Sequence, residues 1–196
     1  MRSDHSVIAS MVPVGSRVLD LGCGDGTLLA ELIHRGANGL GMEITDDGVV
    51  TCLQRGVPVL QADIDEGLGD LEDDSFDIVI LSLTLQAVHH PALVLGEMAR
   101  VAPRSIVSFP NFAHWRLRTQ LAVSGRMPVS PLLPYAWHET PNIRLCSIKD
   151  FEALAHAEGF TVEQRVLLDV SGDVSGAAAR RVPNLFAAGA VYLLER

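Results

Sequence analysis

Two carboxylates, Asp20 and Glu43, and a run of glycines are residues of this chain whose types and spacing could do chemistry. Asp20 closes the apolar stretch Val18-Leu19-Asp20-Leu21 and precedes Gly22-Cys23-Gly24-Asp25-Gly26-Thr27. Glycine lacks a Cβ and adopts φ > 0 freely, so this pattern lets the chain turn tightly after a strand and lets a ligand approach the loop's N–H groups. The G-x-G-x-x-G fingerprint of dinucleotide sites has glycine at the sixth position, where this chain has Thr27, so a nicotinamide or flavin ligand is disfavoured. A carboxylate at Asp20, at the carboxyl end of a strand facing the crevice, suits a ligand carrying an amine or ammonium better than one carrying pyrophosphate. Glu43 ends a second apolar stretch about 20 residues beyond the glycines, where an acid can accept both hydroxyls of a ribose. The alternative for Glu43 is an exposed strand-end acid.

These groups need a scaffold, and the hydrophobic pattern supplies one. Residues 17–21, 39–44, 57–61, 76–82 and 105–109 read as buried strands, and residues 28–35, 46–54 and 93–101 as the helices between them. Ser3 and Asp4 can cap a short helix that Pro13 stops, placed as a lid at the edge of the site. The strand at 76–82 is the clearest and belongs at the centre, so that residues 82–86, beginning with Ser82, line the crevice opposite the glycine loop. A helix over 150–158, a strand over 160–169, a polar loop over 171–181 and a last strand over 185–195 complete a seven-stranded sheet. Residues 110–147 break this rhythm with Pro110, Pro128, Pro131, Pro134, Pro141, Trp115 and Trp137. Such an insertion is a natural place for substrate or partner contacts.

Length and composition set the bounds. The 196 residues are enough to bury a sizeable core and are read as one domain, 1–196, carrying the insertion at about 110–147. A formal net charge of −9 would repel a nucleic-acid backbone. The charge is uneven: Asp63, Asp65, Glu66, Asp70, Glu72, Asp73, Asp74 and Asp77 crowd one region, while Arg100, Arg104, Arg116, Arg118, Arg126, Arg144 and Lys149 stand with the single acid Glu139. That asymmetry hints at partners or anionic substrates, the alternative being solvated faces of opposite sign. Cys23, Cys52 and Cys146 have no C-x-x-C spacing, so neither a disulfide framework nor a zinc site is indicated, no metal is expected, and a cytoplasmic location fits. No apolar run is long enough to span a bilayer and no signal core is evident, so no membrane association is expected.

The glycine loop resembles the first motif of class I S-adenosylmethionine (SAM) methyltransferases. Ala62-Asp63-Ile64 resembles the adenine-binding element of that family, with Asp63 accepting from the exocyclic amine and Ile64 stacking on the ring. The insertion is more specific. Ser108-Phe109-Pro110-Asn111-Phe112-Ala113-His114-Trp115-Arg116, Gly125-Arg126-Met127-Pro128-Val129, Leu133-Pro134-Tyr135 and Thr140-Pro141-Asn142-Ile143-Arg144-Leu145-Cys146 resemble the MetW family of methionine biosynthesis proteins, over essentially the whole chain. The resemblance implies an α/β, three-layer, Rossmann-like class I SAM methyltransferase fold, with a mostly parallel seven-stranded sheet and an antiparallel last strand. It implies SAM or S-adenosylhomocysteine as ligand, held by Asp20, Gly22, Cys23, Gly24, Glu43, Ile44, Asp63, Ile64 and Ser82. It also implies an accessory or regulatory role beside the homoserine O-acyltransferase MetX.

Methyl transfer itself does not follow from these motifs. It needs an acceptor aligned with the methyl group and a base where the acceptor is a poor nucleophile. His89, His90, His114, His138 and Tyr135 are the candidate bases, and none stands out, so the catalytic residue stays unassigned. The alternative function is a SAM-dependent methyltransferase acting on a small anionic acceptor clamped by Arg116, Arg118, Arg126 and Arg144.

Overall fold

The computed structural model describes residues 3–196. Its central strands are the near-continuous apolar runs of the sequence: β1 (Arg17–Leu21), β4 (Ile78–Ser82), β5 (Arg104–Pro110) and β7 (Gly189–Glu195) are buried along almost their whole length. Strands covered on both faces need that pattern. Side chains alternate across the sheet. On one face Val18, Ile78, Ile80, Ile106 and Val191 pack with Ile8 of α1 (Ser3–Met11), Leu29 of α2 (Thr27–His34) and Cys52 of α3 (Asp46–Gln54). On the other, Leu19, Val79, Leu81, Val107 and Tyr192 pack with Leu95 of α4 (Pro91–Val101) and Phe151 of α6 (Ile148–Ala157). Three layers result, as expected.

With β2 (Asn38–Glu43), β3 (Val59–Gln61) and β6 (Thr161–Leu168), the sheet has seven strands in the order β3-β2-β1-β4-β5-β7-β6. All neighbours are parallel except β7, which runs antiparallel to β5 and β6. The chain therefore winds outward from β1 to β3 and returns on the far side of β1 as β4. Ligands of open α/β sheets bind at the carboxyl edge of such a reversal.

Three expectations need correction. The segment read as a polar loop contains α7 (Ala177–Arg181), because consecutive alanines favour helix and Ala179 is buried. The predicted last strand starts late, because Pro183 opens the short helix α8 (Pro183–Phe186) and β7 begins only at Gly189. The insertion holds a helix the pattern did not announce, α5 (Trp115–Ser124), of which only Leu117 is buried. At the amino end, Asp4 lies within α1 and is buried, with its carboxylate accepting from Ser82 Oγ at 3.4 Å. The expected cap on the Ser3 side chain falls outside the described residues.

One aromatic group ties the terminal strands to α6. Phe109, Phe151 and Tyr192 place their rings 4.6 to 5.9 Å apart. The Tyr192 hydroxyl donates to Glu152 Oε1 at 2.8 Å, and burial together with that carboxylate holds the phenol protonated far above its usual range. Phe151→Ala should lose about 3–5 kcal/mol of unfolding free energy in urea titration, whereas Val14→Ala, at a side chain 80% exposed, should change it by less than about 0.5 kcal/mol.

Candidate functional site

The glycine loop between β1 and α2 is built by three left-handed residues, Gly22 (φ 67°), Gly24 (φ 57°) and Gly26 (φ 71°). Four of its N–H groups are already paired within the chain. Gly22 N and Cys23 N both donate to Met42 O at 2.8 and 3.0 Å, Gly24 N donates to Glu43 Oε2 at 2.9 Å, and Gly26 N donates to Cys23 O at 3.0 Å. At Gly24 nothing lies within 4 Å of a Cβ position, so the backbone is open to close approach there. The Cys23 side chain turns away into the core, 3.6 Å from Cys52 Sγ, and burial, followed by the Asp20 charge, raises its pKa far above the usual thiol range.

Beside this loop lies a cleft of about 370 Å³ walled by Gly22, Met42, Glu43, Ile44, Ala62 to Asp65, Leu83, Thr84 and Ala87 to His89. Glu43 is its anchor. Oε2 accepts from Gly24 N, and Oε1 accepts from Thr45 N at 2.9 Å and Thr45 Oγ1 at 2.8 Å. A carboxylate has about four acceptor positions, so roughly one is left for a ligand hydroxyl. Asp63 accepts from Asp65 N through Oδ1 at 2.9 Å, caps the 3₁₀ turn Ile64–Glu66 and lies in the wall. Ile44 is 57% exposed and Ile64 buried, giving apolar surface on which a ring could lie. Acceptors, apolar walls and an acidic field fit a nucleoside bearing positive charge, and they oppose a pyrophosphate.

The fourth wall is the turn after β4. Thr84 leans on the glycine loop so closely that a Cβ at Gly22 would sit 2.6 Å from Thr84 Cγ2. Leu83 has φ 51°, a conformation that costs a branched side chain about 1–2 kcal/mol. Hydrogen bonds over-determine it. Leu83 N donates to Ser108 O at 3.0 Å, and Leu83 O accepts from Gln86 Nε2 at 2.6 Å. Asp65 secures the far end, accepting from His89 N and His90 N at 2.9 and 2.8 Å.

The structure brings Gly22, Glu43, Ile44, Asp63 and Ile64 into one wall. Asp20 is 2% exposed and Ser82 hydrogen-bonds Asp4, and neither is among the wall residues. Leu83 and Thr84 fall within the 82–86 segment expected opposite the glycine loop and do line the cleft, whereas Val88 was not singled out in the sequence and Asp65 was read only as one of a cluster of acids. Leu83, Ala87 and Gln86 also border a second cleft of about 610 Å³ roofed by the insertion.

Of the candidate bases, His89 lines the first cleft and Tyr135 the second. His90 precedes α4, and His138 lies on the surface 3.8 Å from Glu139. His114 is buried in a separate pocket, where burial and then Arg116 lower its pKa. The arginines do not form the expected clamp. Arg116 lines that separate pocket, Arg118 donates to Ala113 O, Arg126 lies on the outer face and Arg144 donates to His89 O. Among the described residues, no group of His, Cys, Asp and Glu could hold a metal ion, and no helix is long and apolar enough to cross a membrane.

Comparisons with known proteins agree with the geometry. The family described as "Methionine biosynthesis protein MetW" matches residues 2–194. A bifunctional methionine biosynthesis protein MetXA/MetW from Rhodopirellula baltica is 38% identical over 85% of this chain and 28% of its own length. A ubiquinone biosynthesis O-methyltransferase from Hahella chejuensis is 33% identical over 64% of this chain and 55% of its own. The chain thus spans between about a quarter and about half of the length of these relatives. A SAM-dependent methyltransferase from Mesorhizobium loti superposes with TM-score 0.73 at 18% identity, covering 99% of this chain and 98% of that one. The [4+2]-cyclase SpnF superposes with TM-score 0.67 at 16% identity, covering 98% and 80%. The two structures show the fold, and the second shows that this fold houses chemistry of another name.

Gly22 and Gly24 separate backbone strain from contact. Alanine at either position bears the left-handed penalty of about 1–2 kcal/mol, but Gly24 has nothing within 4 Å of its Cβ position while Gly22 meets Thr84. In urea titration Gly22→Ala should therefore be the more destabilising of the two, because its new Cβ must displace the Thr84 side chain.

Proposed function

The chain belongs to the MetW family of methionine biosynthesis proteins, and from that premise we propose that it binds SAM or S-adenosylhomocysteine in the smaller cleft and serves as an accessory or regulatory partner of the homoserine O-acyltransferase MetX. When bound, SAM would supply a sulfonium methyl group. The residues present suit it: Asp63 would take the exocyclic amine, Ile64 and Ile44 the ring, and Glu43 a ribose hydroxyl.

One observation carries the regulatory reading. The turn over residues 83–90 is both the wall of this cleft and the mooring of the insertion. Ile143 N and Arg144 N both donate to Gln86 O at 2.9 Å, and Arg144 Nη2 donates to His89 O at 3.1 Å. A ligand that shifts the turn must shift the segment it holds. The insertion in turn displays apolar and aromatic surface: Trp137 is 74% exposed and Tyr135 51%, and Met127, Val129 and Trp137 share a shallow groove with Arg126. Aromatic residues and arginine beside exposed apolar area have the composition of a protein interface. The MetXA/MetW name of the fused Rhodopirellula baltica relative supports an acyltransferase as the partner.

The test is titration of SAM and S-adenosylhomocysteine into the protein with and without the acyltransferase. Linkage requires that a ligand coupled to the complex bind with an affinity that depends on the partner. We expect that dependence, we expect Asp63→Ala to abolish ligand binding, and we expect Trp137→Ala to weaken the complex while leaving ligand affinity of the free chain unchanged. Equal affinities with and without a partner that demonstrably binds would overturn the regulatory role. Absence of nucleoside binding altogether would overturn the ligand assignment.

A further inference from the structure

We propose that the pocket beside α5 is a binding site for a short aliphatic carboxylate. It measures about 220 Å³ and lies between the end of β5, the first turns of α5 and the 129–133 segment, with Val170 and Ala188 completing it. It shares no lining residue with the smaller cleft, and the inference does not rest on the nucleoside reading of that cleft. Sites for drug-sized ligands start at roughly 300 Å³, so this one limits its occupant to a few carbons. Leu117, Leu132 and Leu133 give it apolar walls.

The polar groups define the ligand's charge. His114 is 6% exposed and lines the pocket, yet neither of its ring nitrogens hydrogen-bonds to a described residue. An imidazole carries at least one N–H, and a buried donor is costly to leave without an acceptor. The pocket is where that acceptor can enter. Arg116, in the first turn of α5, lines the same pocket with its guanidinium carbon 5.5 Å from the Trp115 ring centroid. Stacking uses the face of a guanidinium and leaves its in-plane N–H groups to bind, and Arg116 makes no ion pair with a described residue. Ser130 Oγ accepts from Leu133 N at 3.2 Å, which leaves its O–H to donate. Among the described residues that line the pocket none is acidic. Burial first and Arg116 second hold the His114 imidazole below its usual pKa, a sign of how near the guanidinium stands. The positive end of the α5 dipole, at His114, adds to the same sign. A carboxylate answers these donors with two oxygens, which a guanidinium can take together, while the leucines receive a short chain. A cation would meet no counter-charge. Arg118, Arg126 and Arg144 take no part, so this is a site of one arginine rather than the clamp of four expected from the sequence.

Three probes with one apolar body isolate the charge: butyrate, butyramide and butylamine, titrated at constant ionic strength into the isotopically labelled full chain and followed by nuclear magnetic resonance. Butyrate should bind about tenfold or more tighter than either of the others, moving the ring signals of His114 and the backbone amides of Leu117 and Leu133. Arg116→Gln should bring the butyrate-to-butyramide ratio towards one, whereas Arg180→Gln, at an exposed arginine of α7, should leave it unchanged. Butyrate binding no tighter than butyramide, no butyrate binding, shifts centred on Glu43 and Asp63, an unchanged ratio in Arg116→Gln, or equal losses in the two variants would each overturn the site. Should Arg116→Gln fail to fold, the ratio and the His114 signals of the native chain decide alone.

Discussion

Glu43 is 7% exposed, and a carboxylate taken that far out of water is tolerated only where hydrogen bonds replace its hydration. Its three bonds to Gly24 and Thr45 do so, and in doing so they fix the carboxyl edge of the sheet. One bond draws the glycine loop over β2. The other two hold Thr45, whose own hydroxyl accepts from Gly48 N at 3.2 Å and starts α3. A single buried charge therefore sets the loop after β1, the end of β2 and the first turn of the next helix. Gly48 shows how tightly this is packed, since a Cβ there would lie 2.6 Å from Glu43 Cγ. The wall of the smaller cleft on that side takes its position from this carboxylate.

The opposite side depends on a backbone held against its preference. Leu83 occupies left-handed space that a leucine avoids, and strain of this kind persists only where neighbours over-determine it. Ser108 and Gln86 supply that constraint, and Gln86 at the same time carries the insertion on its carbonyl oxygen. Charge follows the same division. Glu43, Asp63 and Asp65 surround one cleft and Asp4 the other, whereas Arg116, Arg118, Arg126 and Arg144 lie in the insertion outside both.

Residue types wrote the inner half of this fold legibly. Runs such as Val18-Leu19 and Ile78-Val79-Ile80-Leu81 must be buried on both faces, and glycines after a strand announce a turn, so β1, β4 and the loop could be placed almost to the residue. Glu43 was legible because an acid at a strand tip is out of keeping with the apolar run before it, whereas Asp63 was singled out through the resemblance of Ala62-Asp63-Ile64 to an adenine-binding element. What the sequence hid is carried by main-chain groups. Gln86 O, His89 O and Met42 O make the connections that shape the site, and any residue can present a carbonyl. Asp4 was read only as a helix-start residue, because nothing local reveals that Ser82, far along the chain, will hydrogen-bond to it. The helix α5 escaped notice because little of its surface is buried, leaving no apolar stripe to read.

A fold shared with both a methyltransferase and a cyclase sets no reaction by itself, so the chemistry has to come from the groups at the carboxyl edge. Three hydrogen bonds tie the 83–90 turn to the 143–144 segment. A tenfold effect of ligand on partner affinity needs about 1.4 kcal/mol of differential binding, and a single hydrogen bond contributes about 0.5–1.5 kcal/mol net. Remaking one or two of the three bonds between turn and insertion is therefore enough to couple the cleft to the exposed aromatic face, with no larger rearrangement of the sheet.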